Sequence, residues 1–323
     1  MSNNNVFAIA TRRSPLALAQ AHMVQAMVAA ALGEAETAAE MVAPIRDYVS
    51  SGDRNLAGSL AEIGGKGLFT KEIEDALLSG NARFAVHSMK DMPAISPPGL
   101  VTAAIPRRED PRDVFLSPTS DSPWNLPQGA KIGTASVRRL AQTLGRRPDL
   151  KPVTLRGNVG TRLDKLDRGD ADGTFLALAG LRRLGLECHA TYIMPPEEML
   201  PAVGQGALCV QAREDDDEAR AIVARFNCPE TEICVAVERA FLAGLDGSCR
   251  TPIAGLATIT GGEVHFRGEL LSLDGQERFR TERNFPYTAN AIEEAASHGA
   301  EAATEIRDRA GKAFFDALGG SAG

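Results

Sequence analysis

Apolar residues recur along this chain in two rhythms. Short continuous runs at Val6–Thr11, Phe84–Val86, Leu100–Ile105, Lys131–Thr134, Val153–Leu155, Gly173–Leu178 and Ala207–Ala212 read as buried strands. A further strand is expected around Glu40–Pro44. Between these runs the pattern turns helical, from Pro15 to about Leu32, from Leu68 to Ser79, after Ser136, after Gly160 and up to about Phe226. Strands alternating with helices predict an α/β chain built on mostly parallel sheets. From Thr231 the character changes. A helix to Leu242 is followed by three strand-like runs, Ile253–Thr260, Glu263–Leu271 and Arg278–Asn284, with Gly261-Gly262 and Asp274-Gly275 as turns. A last helix runs from about Asn290 to Leu318. This tail reads as a small α+β domain with an antiparallel sheet.

Punctuation sets the boundaries. Ser14 suits a helix N-cap, Pro15 the first helical position and Gly33 the stop. Arg46 to Gly67 is a long irregular stretch, and loops of that length are commonly functional lids. The charged run Arg107–Asp113 reads as a crossover between lobes, and the strand Ala207–Ala212 as a return to the first lobe. Three domains follow: residues 1–106 with 207–226, residues 107–206, and residues 227–323.

Length agrees, since 323 residues exceed one hydrophobic core. No apolar run is expected to reach the length of a membrane span. The net charge of −7 argues against a general nucleic-acid binder. It hides an asymmetry: Lys131–Arg183 holds 12 Lys/Arg against 5 Asp, a local balance of +7 that suits a focused site for a small polyanion. The 5 cysteines are odd in number and include no C-x-x-C or zinc spacing, which favours reduced thiols in a cytoplasmic protein. Arg12-Arg13 before an alanine-rich run is not an export signal, because Gln20, His22 and Gln25 interrupt the run.

Candidate chemistry gathers at strand ends, where ligands of open α/β sheets bind. Phe84–Pro93 passes from apolar residues to His87, Ser88, Lys90 and Asp91 and stops at Pro93. Alone, it reads slightly better as a surface turn with a local ion pair. Arg12 and Ser14 lie where a strand meets a helix N-terminus, a place that favours anions; Arg12 is either solvated or a ligand contact. Gly64-Gly65-Lys66-Gly67 lets backbone approach a ligand but lacks the spacing of a phosphate-binding Walker loop. Arg138 and Arg139 sit in a first helical turn, against the helix dipole, which hints at an anionic partner. Arg156 to Arg162 is a glycine-containing turn flanked by arginines, and Arg182-Arg183 follow the next strand. Arginines beyond three successive strands make a carboxylate-binding wall the better reading. Cys249 lies in a glycine-containing loop beside Arg250, without an evident His partner for a nucleophile.

Together these segments resemble the hydroxymethylbilane synthase (porphobilinogen deaminase) family from about Val6 to Phe266. The family's cofactor-attachment signature is met by Glu238-Arg239-Ala-Phe241 and Leu245-Asp-Gly247-Ser248-Cys249-Arg-Thr251-Pro252. His87–Pro93, Gly64–Phe69, Leu155–Arg162 and Leu200–Ala207 also match. The resemblance implies two lobes like type II periplasmic-binding proteins plus a small C-terminal domain with a three-stranded antiparallel sheet. It implies a monomeric enzyme of tetrapyrrole biosynthesis with no membrane or nucleic-acid partner. Four porphobilinogen molecules would be joined head to tail, with loss of ammonia, onto a dipyrromethane cofactor held by Cys249 through a thioether, and linear hydroxymethylbilane then released. Asp91 would be the catalytic carboxylate. Lys90, Asp91, Thr134, Ser136, Arg138, Arg139 and Arg162 would contact the cofactor. Arg12, Ser14, Gln20, Lys66, His87, Ser88, Arg156, Gly157, Arg183 and Gln205 would contact substrate. Two departures stand out: Thr134-Ala135-Ser136 replaces the family's Thr-Ser-Ser, and Arg46–Ser51 does not follow the usual Thr-rich pattern. The competing reading is a two-lobed anion-binding receptor, which would have no use for the third domain and its Cys249 loop.

Overall fold

The computed structural model of the protein describes residues 6–49, 70–93, 96–245, 247 and 251–320. The chain opens with β1 (Ile9–Arg12), α1 (Pro15–Leu32), α2 (Ala39–Val42), β2 (Ile45–Tyr48), α3 (Lys71–Leu78), β3 (Phe84–Ser88) and β4 (Leu100–Ala104). It continues with β5 (Asp113–Leu116), β6 (Lys131–Gly133), α4 (Val137–Leu144), β7 (Lys151–Val153), α5 (Val159–Asp167), β8 (Gly173–Ala177), α6 (Leu178–Arg183) and β9 (Tyr192–Ile193). It returns through β10 (Leu208–Arg213) and α7 (Asp217–Val223). It ends with α8 (Pro229–Gly244), β11 (Ile253–Thr260), β12 (Glu263–Leu271), β13 (Arg278–Pro286) and α9 (Ile292–Gly320).

Two compact units result, residues 1–108 with 207–231, and residues 109–206 with 232–323. The first contains one sheet in the order β2-β1-β3-β10-β4. β1 runs parallel to β2 and β3, and the returning β10 runs antiparallel to β3 and β4. Ala21, Val24 and Val28 of α1 and Ala219, Ile222 and Val223 of α7 bury one face with Phe84, Val86 and Val210. Ile73, Ala76 and Leu77 of α3 bury the other with Ala10 and Ala85. The second unit repeats the plan in the order β7-β6-β8-β5-β9, and adds the antiparallel sheet β11-β12-β13. In that repeat β5, the entering strand, takes the antiparallel place that β10 takes in the first sheet. α8 and α9 cover the three-stranded sheet through Val237, Phe241, Phe266, Leu270, Ala302 and Ile306. The α/β class, the two lobes and the third sheet are as expected.

Several expectations are corrected. The strand placed at Glu40–Pro44 is the short helix α2, because Ala38, Ala39, Glu40 and Met41 are good helix formers. Pro44 has no N–H for a ladder, and the strand starts after it. The charged run Arg107–Asp113 concealed β5, whose four residues are all buried. The strand expected at Val153–Leu155 lies earlier, at Lys151–Val153. Glu74, which shares α3 with the charged Lys71, Glu72 and Asp75, is buried. α1 carries no charged side chain over 18 residues and is, by length and composition, long and apolar enough to cross a membrane. Its buried stripe instead packs in the core of the first sheet. α9 is interrupted at Gly311, where φ is +72°.

Candidate functional site

β1 and β3 are adjacent and parallel, so their carboxyl ends lie side by side. After Arg12 the chain turns into α1, with the Ser14 hydroxyl accepting from the Ala17 N–H at 3.3 Å. After Ser88 it makes one tight turn, Met89–Asp91. The two turns enclose a recess of about 60 Å³ whose walls include Arg12, Ser14, Gln20, His87, Ser88 and Asp91. Six residues singled out in the sequence are thus brought together. Gln20 on α1 donates from Nε2 to Ser88 Oγ at 2.9 Å, which ties the helix to the end of β3. Asp91 is exposed at the rim, and Lys90 is exposed on the same turn without lining the recess. His87 is buried. Burial pushes its imidazole down to about 4, the Gln211 amide opposes this, and the Arg12 charge adds to it. The ring is therefore neutral at neutral pH.

In the second unit the remaining candidates follow β6, β7 and β8. Thr134 is buried at the end of β6, and its hydroxyl accepts from the Ser136 N–H at 3.0 Å. Ser136 caps α4 and so presents Arg138 and Arg139 in the first turn. Both arginines are buried, and the anion they meet belongs to the chain. Asp113 Oδ2 accepts from Arg138 at 2.7 Å and Oδ1 from Arg139 at 2.8 Å. Gln205 adds a third donor at 2.9 Å. The dipole cost that hinted at an anionic partner is thus offset first by Asp113. Burial alone would raise the Asp113 carboxyl, but the two guanidinium charges outweigh it and hold it below the usual carboxylate range.

The other residues sit on glycine turns. Gly157 has φ +120°, and a Cβ there would lie 2.7 Å from the Thr161 side chain. Its carbonyl accepts from Arg162 Nε at 2.9 Å, while Arg156, half-buried, gives its carbonyl to Lys165 at 3.0 Å. Arg183 donates to the Gly206 carbonyl at 2.7 Å, and burial lowers its guanidinium. Gln205 is held from the same loop. Loop 200–206 also meets the C-terminal part of this unit, since Gly204 N–H donates to Glu238 Oε2 at 2.6 Å. Lys66, Phe69, the Gly64–Gly67 segment and Cys249 lie outside the described residues.

The donor set suits a small, carboxylate-rich group. Nε–H of Arg138 and of Arg183 are both sealed from solvent and meet no hydrogen-bond partner among the described residues. No cluster of three potential metal ligands occurs among the described residues. Asp113 was missed in the sequence because its apolar sequel Val114-Phe115-Leu116 was short and followed eight charged or proline residues. Glu74 and Gln211, which lie behind the recess, carried no signal beyond their polarity.

Comparison with known proteins adds a family. Residues 7–221 match the model described as porphobilinogen deaminase, dipyromethane cofactor binding domain, and residues 232–308 match porphobilinogen deaminase, C-terminal domain. The chain is 51% identical over 313 residues to the porphobilinogen deaminase of Nitrobacter winogradskyi, covering 97% of this chain and 96% of that one. It is 49% identical over 312 residues to that of Paracoccus denitrificans, covering 97% of each. Among solved structures the methionine-binding protein MetQ is similar, at 12% identity and a TM-score of 0.44 over 70% of this chain and 92% of that chain.

Proposed function

This chain belongs to the porphobilinogen deaminase family, and we propose from that membership how its residues divide the work. It is a transferase that condenses four porphobilinogen molecules head to tail, with loss of ammonia, and releases linear hydroxymethylbilane. Its cofactor is dipyrromethane, carried on Cys249, and when bound it supplies the pyrrole α-carbon to which the first substrate is joined.

The recess at the ends of β1 and β3 is the catalytic pocket. Loss of ammonia from porphobilinogen leaves a cationic methylene on the pyrrole. Asp91 supplies the carboxylate that stabilises this cation and handles the departing amine's proton. Arg12 and Ser14 bind the acetate or propionate of the substrate, and the Gln20–Ser88 pair fixes the wall against which it lies. In the second unit, Arg156, Gly157, Arg183 and Gln205 serve substrate carboxylates and their setting. Thr134, Ser136, Arg138, Arg139 and Arg162, with Lys90 from the first unit, bind the cofactor. Lys66 joins the substrate set by its place in the family motif. We also hold to three domains at the boundaries read from the sequence, and to a cytoplasmic monomer.

The observation that carries this reading is the meeting of Arg12, Ser14, Gln20, His87, Ser88 and Asp91 in one recess. The test is to incubate the purified protein with porphobilinogen and follow ammonia and hydroxymethylbilane. Stoichiometric release of four ammonia per product is expected. Binding of porphobilinogen without ammonia release would instead fit a receptor.

A further inference from the structure

A line of buried polar groups runs behind the recess. His87 on β3 pairs with Cys209 on β10, and Ala85 pairs with Gln211, so His87 and Gln211 are diagonal neighbours on one sheet face. Gln211 Nε2 donates to Glu74 Oε1 at 3.4 Å, and Thr70 Oγ1 donates to Glu74 Oε2 at 3.1 Å. Gln211 is 0% exposed, His87 6% and Glu74 9%. Two sealed atoms in this line meet no partner among the described residues, His87 Nε2 and Gln211 Oε1. One can donate and the other only accept. A ring proton on Nε2 that points to the amide oxygen would satisfy both atoms. Glu74 decides the orientation of that amide. Because it takes the Gln211 N–H, the amide cannot turn and offer its N–H to the ring. The other ring nitrogen, Nδ1, is not among the sealed atoms that lack a partner, and His87 forms part of the recess wall.

We propose that Glu74 and Gln211 are positioning residues that hold His87 in the neutral Nε2–H tautomer, so that its Nδ1 lone pair accepts the pyrrole N–H of porphobilinogen in the recess. The proposal deepens the substrate-site reading and rests on it. The charged neighbours are consistent with a neutral ring. Arg12 faces the recess with Asp91 at its rim, and the Glu74 carboxylate is spent on Gln211 and Thr70. Burial keeps the imidazole unprotonated at neutral pH.

Long-range ¹H–¹⁵N spectra of the histidines in the holoenzyme test this, with His87 assigned by its loss in His87→Asn. At pH 7 the wild type should show His87 with the proton on Nε2. Porphobilinogen added to Asp91→Asn holoenzyme, which should bind without turnover, should shift the Nδ1 resonance. Gln211→Met should raise KM about five- to tenfold with kcat little changed, as for one lost hydrogen bond. A ring protonated on Nδ1 or on both nitrogens, or an Nδ1 resonance unmoved by porphobilinogen, would overturn the proposal alone when the wild type turns over normally. Absence of turnover by wild-type holoenzyme would overturn the substrate-site reading, and the proposal with it.

Discussion

Replacing Asp113 by Asn probes the buried charge cluster that orders the second unit. Asp113 is 0% exposed and Arg138 and Arg139 are each 5% exposed. The carboxylate takes donors from Arg138 at 2.7 Å, Arg139 at 2.8 Å and Gln205 at 2.9 Å. Asn keeps the shape and removes the charge, so two guanidinium groups remain buried with no carboxylate between them. Breaking a buried pair this way costs roughly 3–5 kcal/mol. The Leu200 and Phe175 carbonyls still hold one donor of each arginine, at 2.9 and 2.7 Å, and place the loss toward the lower figure. Trp124 is the single tryptophan of the chain and packs against the core formed by Phe115, Ile132 and Phe175. Its fluorescence during urea unfolding therefore reports this unit. The midpoint of Asp113→Asn should fall by the equivalent of about 3 kcal/mol with little change in slope. The triple variant Asp113→Leu, Arg138→Met, Arg139→Met should recover most of that stability, since a buried ion cluster exchanged for apolar groups is often neutral. It should nonetheless fail to load cofactor, because the donors are gone. A loss below about 1 kcal/mol in Asp113→Asn would refute the argument that Asp113 neutralises the arginines.

Three further outcomes follow from the same geometry. Asp91→Asn, at an exposed rim, should unfold within about 0.5 kcal/mol of wild type yet lose roughly 10²–10⁴-fold in turnover, measured as ammonia release. His87 makes stability depend on pH: the unfolded ring takes a proton near 6.5, while the folded ring resists until about 4. Its contribution is thus intact above 6.5 and drains by about 3 kcal/mol as pH falls to 4, a slope that urea titrations should find absent in His87→Gln. Gly206→Ala should destabilise by about 2 kcal/mol in thermal unfolding, because φ is +89° and the new Cβ would lie 2.3 Å from the Glu109 carbonyl oxygen.

What could be read from the sequence follows from how local each determinant is. Ser14-Pro15 and Ser136 mark their helix starts through side chains that bond within three residues. Gly261-Gly262 and Asp274-Gly275 mark the hairpin turns of the last sheet, and those strands lie where the pattern put them. β5 was hidden because its neutralising partners come from residues 138 and 139, and a charged residue opening a central strand is legible only once they are in place. Arg12 and Asp91 were each visible as strand-end residues. Their sharing of one recess depends on β1 pairing with β3, across a stretch of more than seventy residues that no local rule joins. Glu74 sits among Lys71, Glu72 and Asp75 in the sequence, and it is packing against β10 that turns it inward. Cys249 rests on the family signature alone.

The most direct test of the enzyme assignment is the intact mass of the purified protein, with peptide mapping around Cys249. The account predicts an excess equal to two linked pyrroles, localised to the peptide that contains Cys249. An unmodified Cys249 that also gains no adduct on incubation with porphobilinogen would contradict it.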